Sequence, residues 1–583
     1  MARGKYARRG WVSYVASMGL SVAAFGFAAA ISHAADPAAE VEARLAAGEF
    51  GPALAAANAA RDPGQRDKLL GNVAGAQAGA GARNAALETA GDITSDLARK
   101  ATLGSMAGDS GRGRGAPVGG RGGMSGADFD SLIELITTTT KPDSWDDVGG
   151  PGAIDQFEGG VYVDTAGLLK KLPPSTDRSL IAVHRAGMEA TKSGDPRRDS
   201  TLRKVSLTRL EREAQLLHAQ GKDPNEAMQT LAGLKRIKYI LVYPESGDIV
   251  LAGPAGDWRR DGEGRYVDGK GAPVLNLDDL VVTLRNAFTQ KGRFGCSIDP
   301  RTDNLAAAKA VAEKWSKQAL KPGQRTQWLN EFRTAMGRQD IVIYGIDPHT
   351  RAGRVLIEAD YRMKLVGIGL EEGTLGVSSY LNTVEVAKDG SLPPMNVLRW
   401  WFTLNYDALS ATESRDAFEL RGPGVKVLSE NEMLTERGER VHTGGSDELT
   451  KRFAESFTKH FDKLSTKYPI YAELRNVFDL SLVAAVIHSH DLPNQVNWHM
   501  THFGPQGEYA PAMGPAPTEV DSVMNHRVIG GRHVVAAVSG GVRVETDGLS
   551  AREAVKTDPY GSMASDRGAS QPKPMDRRTW WWD

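Results

Sequence analysis

Apolar positions change their spacing along this chain, and each change marks a different kind of element. Leu449, Phe453, Phe457, Phe461 and Leu464, with His460 on the same stripe, recur at helical spacing and predict an amphipathic helix. The run that starts at Pro469, "PIYAELRNVFDLSLVAAVIH", is apolar on most of its surface and predicts a buried helix. Between 237 and 370 the pattern switches. "YILVYPESGDIVLAG" reads as strand, Pro-Glu-Ser-Gly turn, strand. Helices expected at 303–319 and 324–337 lie between two strands that end alike, in Ile298-Asp299-Pro300 and Ile346-Asp347-Pro348. Asp then Pro suits the first two positions of a type I turn, and a cation site on Asp299 and Asp347 is the functional alternative. "HRVIGGRHVVAAVSGGVRVE" (526–545) predicts a closing strand pair, and its Ser539-Gly540-Gly541 lacks the G-x-S-x-G elbow of serine hydrolases. Strands and helices interleaved in this way predict a layered mixed α/β core.

Upstream, residues 36–100 are alanine-rich and helical in pattern. "AAGEFGPALAAANAA" (46–60) aligns with "GAGARNAALETAGDI" (79–93), matching Gly48 to Gly81 and Ala57 to Ala90. That spacing fits tetratricopeptide-type helical hairpins, with a plain helical stalk as the alternative. Residues 101–127 are too poor in apolar surface to order themselves and read as a flexible Gly-rich linker. Residues 128–174 read as a small α/β segment, with a short helix carrying Phe129, Leu132, Ile133, Leu135 and Ile136 before a strand from Gly160 to Asp164. Residues 175–235 read as a helical connector with a charged amphipathic helix at 201–220, residues 236–550 as a mixed α+β core, and residues 551–583 as a flexible tail ending in three tryptophans, which either dock on a partner or pack on the domain itself. The expected class is therefore multi-domain α+β.

The first 34 residues read as a signal peptide. Arg3, Lys5, Arg8 and Arg9 precede an apolar run from Trp11 to Ile31, and Ser32-His33-Ala34 offers small residues for cleavage after Ala34. Arg8-Arg9 leaves both the general and the twin-arginine export routes open. Loss of the four cations takes the formal charge from −1 to about −5, which speaks against a nucleic-acid partner. No later segment is long and apolar enough to predict a membrane span. The single cysteine, Cys296, rules out an intramolecular disulfide and reads as a buried small hydrophobe.

Several stretches carry a resemblance. "LIELITT" followed by "PDSWDDVGGPGAI" resembles a small α/β segment of secretin-type proteins. "VYPESGDIVLAGPAGDW", "FGCSIDP", "ADYRMKLVGIGLEEG" and "FELRGPGVKVLSENE" resemble an exported planctomycete family of unknown function, over about 160–550. The resemblance implies export and carries no activity.

Chemistry concentrates in "VIHSHDLPNQVNWHMTHF" (486–503), which holds His488, His490, His499 and His502. Zinc or another divalent metal needs three or four such ligands converging from one side. The local pattern opposes convergence. His488 ends an apparent helix, where positions two apart diverge, and Val496, Trp498 and Met500 alternate with Asn497, His499 and Thr501 as on a strand. The second candidate is a carboxylate pair, Glu358 and Asp360, expected on one face of a strand, where split pKa values would serve acid and base roles. No phosphate loop, H-E-x-x-H or dinucleotide fingerprint is present. The sequence thus favours a non-catalytic envelope or periplasmic component with a protein partner, and keeps a secreted hydrolase as the alternative.

Overall fold

The computed structural model describes residues 36–109, 153–157, 160–164, 194–316, 324–385, 397–434, 440–529, 532–558, 561–572 and 579–583. The chain is a mixed α+β, multi-domain protein. The expected signal peptide and most of the Gly-rich linker lie outside the described residues, as does the small α/β segment apart from one hairpin, Ala153–Phe157 with Gly160–Asp164.

Five helices open the described chain: Pro37–Ala46, Phe50–Ala59, Pro63–Gly79, Arg83–Gly91 and Asp96–Asp109. The first four form two hairpins whose turns match. Gly48 and Gly81, aligned in sequence, both adopt positive φ, and each turn is closed by a bond to the carbonyl five residues back, from Glu49 to Arg44 and from Ala82 to Gln77. That is a Schellman closure, which places glycine where a side chain would be strained. The fifth helix runs to Asp109, so order continues past the linker boundary expected at 101.

Two large sheets, with a small ribbon of Arg259–Arg260 and Tyr266–Val267, build the rest of the described strands. The larger runs Arg440–His442, Gly424–Leu434, Val397–Asn405, Arg532–Glu545, Arg293–Pro300, Arg338–Tyr344 and Glu519–Asp521, with Met524–Ile529 also paired to Arg532–Glu545. Helices Arg351–Gly367 and Glu448–Lys459 close one face through Leu356, Met363, Phe453 and Phe457 against Trp400 and Phe402. The smaller sheet runs Lys556–Thr557, Ser410–Ala411, Ala417–Glu419, Tyr239–Tyr243, Asp248–Ala255, Ser200–Ser206 and Trp581–Trp582. Its central hairpin is the one expected at the Pro-Glu-Ser-Gly turn. Helix Pro469–Ser489 joins the two. Its first half, with Tyr471, Leu474 and Phe478, lies in the core under the larger sheet, and its second half, with Leu482, Val483 and Ile487, lies under the smaller one. A helix serving two cores needs apolar residues all round, as its sequence has.

Four expectations are corrected. Residues 201–206, expected as helix in the connector, are an inner strand of the smaller sheet, and the helix starts only at Leu207, capped by Ser206 Oγ accepting from the Arg209 amide. The Trp-ended tail is docked: Trp581 pairs with Val205, and the Asp583 carboxylate accepts from Arg203 at 2.7 and 3.0 Å. Arg203 is fully buried, so a terminal carboxylate side chain and an indole face hold the last strand in place. Residues 351–367 are helix, not strand, because Ala352, Val355, Leu356, Ala359, Met363 and Val366 bury one helical stripe and Thr350 caps it by accepting from the Gly353 amide. The first Asp-Pro pair lies within strand Arg293–Pro300, and only Asp347-Pro348 makes the expected turn, with the Thr350 amide donating to the Asp347 carbonyl. Ser539-Gly540-Gly541 lies inside a strand, where a Cβ on Gly540 would sit 1.7 Å from the Trp400 carbonyl oxygen, which accounts for glycine there by backbone approach.

Candidate functional site at the seam between the helical hairpins and the core

The four histidines do not meet. Among the described residues the only group of three or more potential ligands within 4.8 Å is Glu430, Glu432 and His442. His488 is exposed, with its ring edge-on to Phe288 at 4.8 Å. His490 caps the helix Pro469–Ser489 and packs on Phe418 at 4.7 Å. His502 is buried among His218, Phe503 and Tyr509. His499 is exposed too and reaches the N-terminal helices, its Nδ1 2.8 Å from Asp96 Oδ1. The strand expected at 496–501 is absent. Burial does alternate there, but Asn497 and Met500 take positive φ and the segment is a series of turns.

Two carboxylates organise those turns. Asp96, at the start of the fifth helix, accepts from the His499 amide at 2.7 Å. Glu211, fully buried on helix Leu207–Ala219, accepts from the Trp498 indole and from the amides of His502 and Phe503 at 2.8 and 2.7 Å. Burial pushes the Glu211 carboxyl up, and these three donors pull it back. The histidine-rich segment is therefore a joint. It ties the helical hairpins to the core, beside Arg99, which donates to Gln215 at 2.9 Å, and Gly91, which lies against Leu216.

Neutral histidines inside this joint carry a pH dependence. His490 is held down to about 4, first by burial and then by Arg415 and Arg552. A base depressed below its unfolded value near 6.5 is protonated first in the unfolded chain, so its contribution is full above about 6.5 and lost as pH falls toward 4. His490→Gln removes that proton site. In urea unfolding the variant's deficit against wild type is expected to shrink by about 1–3 kcal/mol between about pH 7 and pH 4.5. A deficit that ignores pH would contradict the assignment.

The carboxylate pair is also separated. On helix Arg351–Gly367, Glu358 is exposed and within 4.0 Å of Arg362, whereas Asp360 is fully buried and paired with Lys364 Nζ at 2.8 Å. Positions two apart on a helix point in different directions, so no shared acid–base face exists. Sequence reading missed Glu430, Glu432 and His442 because they converge only once their strands pair in the sheet. His442 Nδ1 lies 3.4 Å from Glu430 and 3.2 Å from Glu432, and Arg399 Nη1 lies 3.2 to 3.6 Å from all three. The guanidinium thus already supplies a positive charge where a metal ion would sit.

A cavity of about 780 Å³ opens at the seam itself. Helices Pro63–Gly79 and Asp96–Asp109 form one wall, helix Leu207–Ala219 and Trp498 the other, and the Glu245–Gly247 turn the rim. Arg66, Arg99, Arg209 and Arg212 line it. Only long-range folding assembles this set, and no local spacing announces it.

The structure thus defines a mixed α+β protein in which paired helical hairpins are docked by buried carboxylates onto a two-sheet core. Within it, a family model described as a protein of unknown function, DUF1598, matches residues 296–380, from Cys296 on strand Arg293–Pro300 through helix Arg351–Gly367 to Tyr380. Neither the curated proteins nor the solved structures give a match.

Proposed function

We propose that this chain is an exported, non-catalytic binding protein of the cell envelope or periplasm that works with a protein partner. One observation supports this most: His490, His499, His502 and Asp360 are spent on internal contacts, while the seam between hairpins and core presents a cavity. Residues with chemistry to offer act here as fasteners, and the concave surface at a junction of two units is where ligands bind. The basic N-terminus followed by an apolar run supports export. Among the described residues no helix is long and apolar enough to cross a membrane.

A metal-dependent hydrolase has one observation in its favour, the convergence of Glu430, Glu432 and His442. Native mass spectrometry of the chain begun at Ala35, made without a histidine tag, separates the two readings. A metal-free mass is expected. One equivalent of zinc or another divalent ion, lost in Glu432→Gln, would replace the binding-protein reading with the hydrolase.

A further inference from the structure

We propose that the uncovered half of the larger sheet is the docking face for the chain's own segment 128–137. This interaction surface within one chain goes beyond the partner reading and does not depend on it.

Strand register defines the face. Leu428, Trp401, Gly541, Ser297 and Val342 are aligned neighbours across five strands. Side chains alternate along a strand, so this row points away from Trp400, Phe402 and the helices that cover them. Toward one end of the same face, Val397 and Ala537 are covered by helices Thr302–Ser316 and Gln324–Met336 through Leu305, Ala308, Phe332 and Met336. Past Trp401 that cover stops among the described residues: Val342, Tyr344 and Leu428 are 55%, 43% and 39% exposed. Gly541 and Ser297 leave a low floor between Trp401 and Val342. The two sides are three strand spacings apart, about 14 Å, which admits one helix about 10–12 Å across.

Charge and chain length select the occupant. Lys426 and Arg543 stand two residues along from Leu428 and Gly541 on the same face, and neither pairs with a carboxylate among the described residues. The carboxylates of the face are answered: Glu430 and Glu432 by Arg399, Asp340 by Arg301, while Glu545 lies across from Arg293. The occupant is therefore apolar on one side and acidic on the other. Residues 128–137, outside the described residues, have that pattern in sequence. Phe129, Leu132, Ile133 and Ile136 recur at helical spacing among Asp128, Asp130 and Glu134, with no cation. Two other long stretches outside the described residues, 1–35 and 165–193, are net basic. Residues 110–127 connect Asp109 to the segment and extend to at most about 60 Å, enough to cross a core of this size. The tether also raises the local concentration toward about millimolar, so a shallow face suffices.

The test is photo-crosslinking in the whole chain begun at Ala35, with Val342→p-benzoylphenylalanine, an exposed position whose replacement leaves the core intact. Peptide mapping of the monomer band is expected to place the adduct within 126–140. Lys426→Glu together with Arg543→Glu should cut that adduct by about fivefold or more, and adding Asp128→Lys and Asp130→Lys should restore it. Arg543→Glu alone, at an exposed position, should cut it by about threefold and decides the matter where the double variant fails to fold. Three outcomes overturn the docking: an adduct in 165–193 or on a second copy at dimer mass, a yield no higher than from Leu375→p-benzoylphenylalanine on an exposed loop, or a yield that ignores the charge reversals.

Discussion

Replacing Glu211 with alanine is expected to cost about 3–5 kcal/mol of folding stability, far more than the loss of a surface glutamate. The carboxylate is fully buried and accepts three hydrogen bonds from one segment, the Trp498 indole and the amides of His502 and Phe503. Alanine leaves all three donors buried without that acceptor, at about 1–3 kcal/mol for each group that water cannot reach. It also removes a negative charge near Arg99. A glutamine side chain would keep one carbonyl oxygen in the same place, so Glu211→Gln should lose about half as much. Urea unfolding checks the magnitude. Limited proteolysis checks the place, since cleavage between 496 and 510 should appear in Glu211→Ala before any in the sheets. Wild-type stability in the alanine variant would show that the joint does not depend on this residue.

What the sequence revealed and what it hid follow from the range of the interactions. The buried helix Pro469–Ser489 was readable because its environment is apolar on all sides, and that requirement is written into consecutive residues. Gly48 and Gly81 were readable as equivalents because a helix ending in a left-handed residue selects glycine locally, whatever packs around it. The joint was hidden. Asp96 and His499 are 403 residues apart, and Glu211 and His502 are 291 apart. A glutamate in the charged stretch "LEREAQ" gives no sign that it is the one facing inward. The same holds for the four arginines of the cavity, drawn from three helices. The docking of Trp581 on Val205 was hidden for a related reason: a two-residue strand has no periodicity, and its order comes from the buried Arg203 beneath it. Helix Arg351–Gly367 was mistaken for strand because Val355, Ile357 and Ala359 alternate with other residues over a short window. The longer stripe through Met363 and Val366, together with the Thr350 cap, carries the helical signal.

Replacing Lys364 with methionine is expected to destabilise the protein by about 3–5 kcal/mol near neutral pH, although methionine fills similar space. Lys364 and Asp360 are both fully buried, one turn apart on helix Arg351–Gly367, with Nζ 2.8 Å from Oδ2 and donating to the Ile298 carbonyl at 2.8 Å. This pair lies against strand Arg293–Pro300 inside the segment that matches the family model, beside Cys296, whose thiol burial pushes well up. Burial already pushes Asp360 up to about 6, with Lys364 opposing the rise. Without the lysine, the carboxylate must stay charged in an apolar site or take up a proton. The sign of the pH dependence follows. A folded carboxyl raised above its unfolded value near 3.9 stabilises the fold at low pH and loses that contribution as pH climbs through its folded value. Lys364→Met moves that folded value higher, so its deficit should be largest above about pH 7 and smaller near about pH 4.5. Replacing both partners, Asp360→Leu with Lys364→Met, removes the buried charge altogether and should recover most of the loss. Urea unfolding of the two single variants and the double variant gives the coupling directly. A double variant as unstable as the sum of the singles would mean that the two side chains act independently and that packing, not charge, sets the cost.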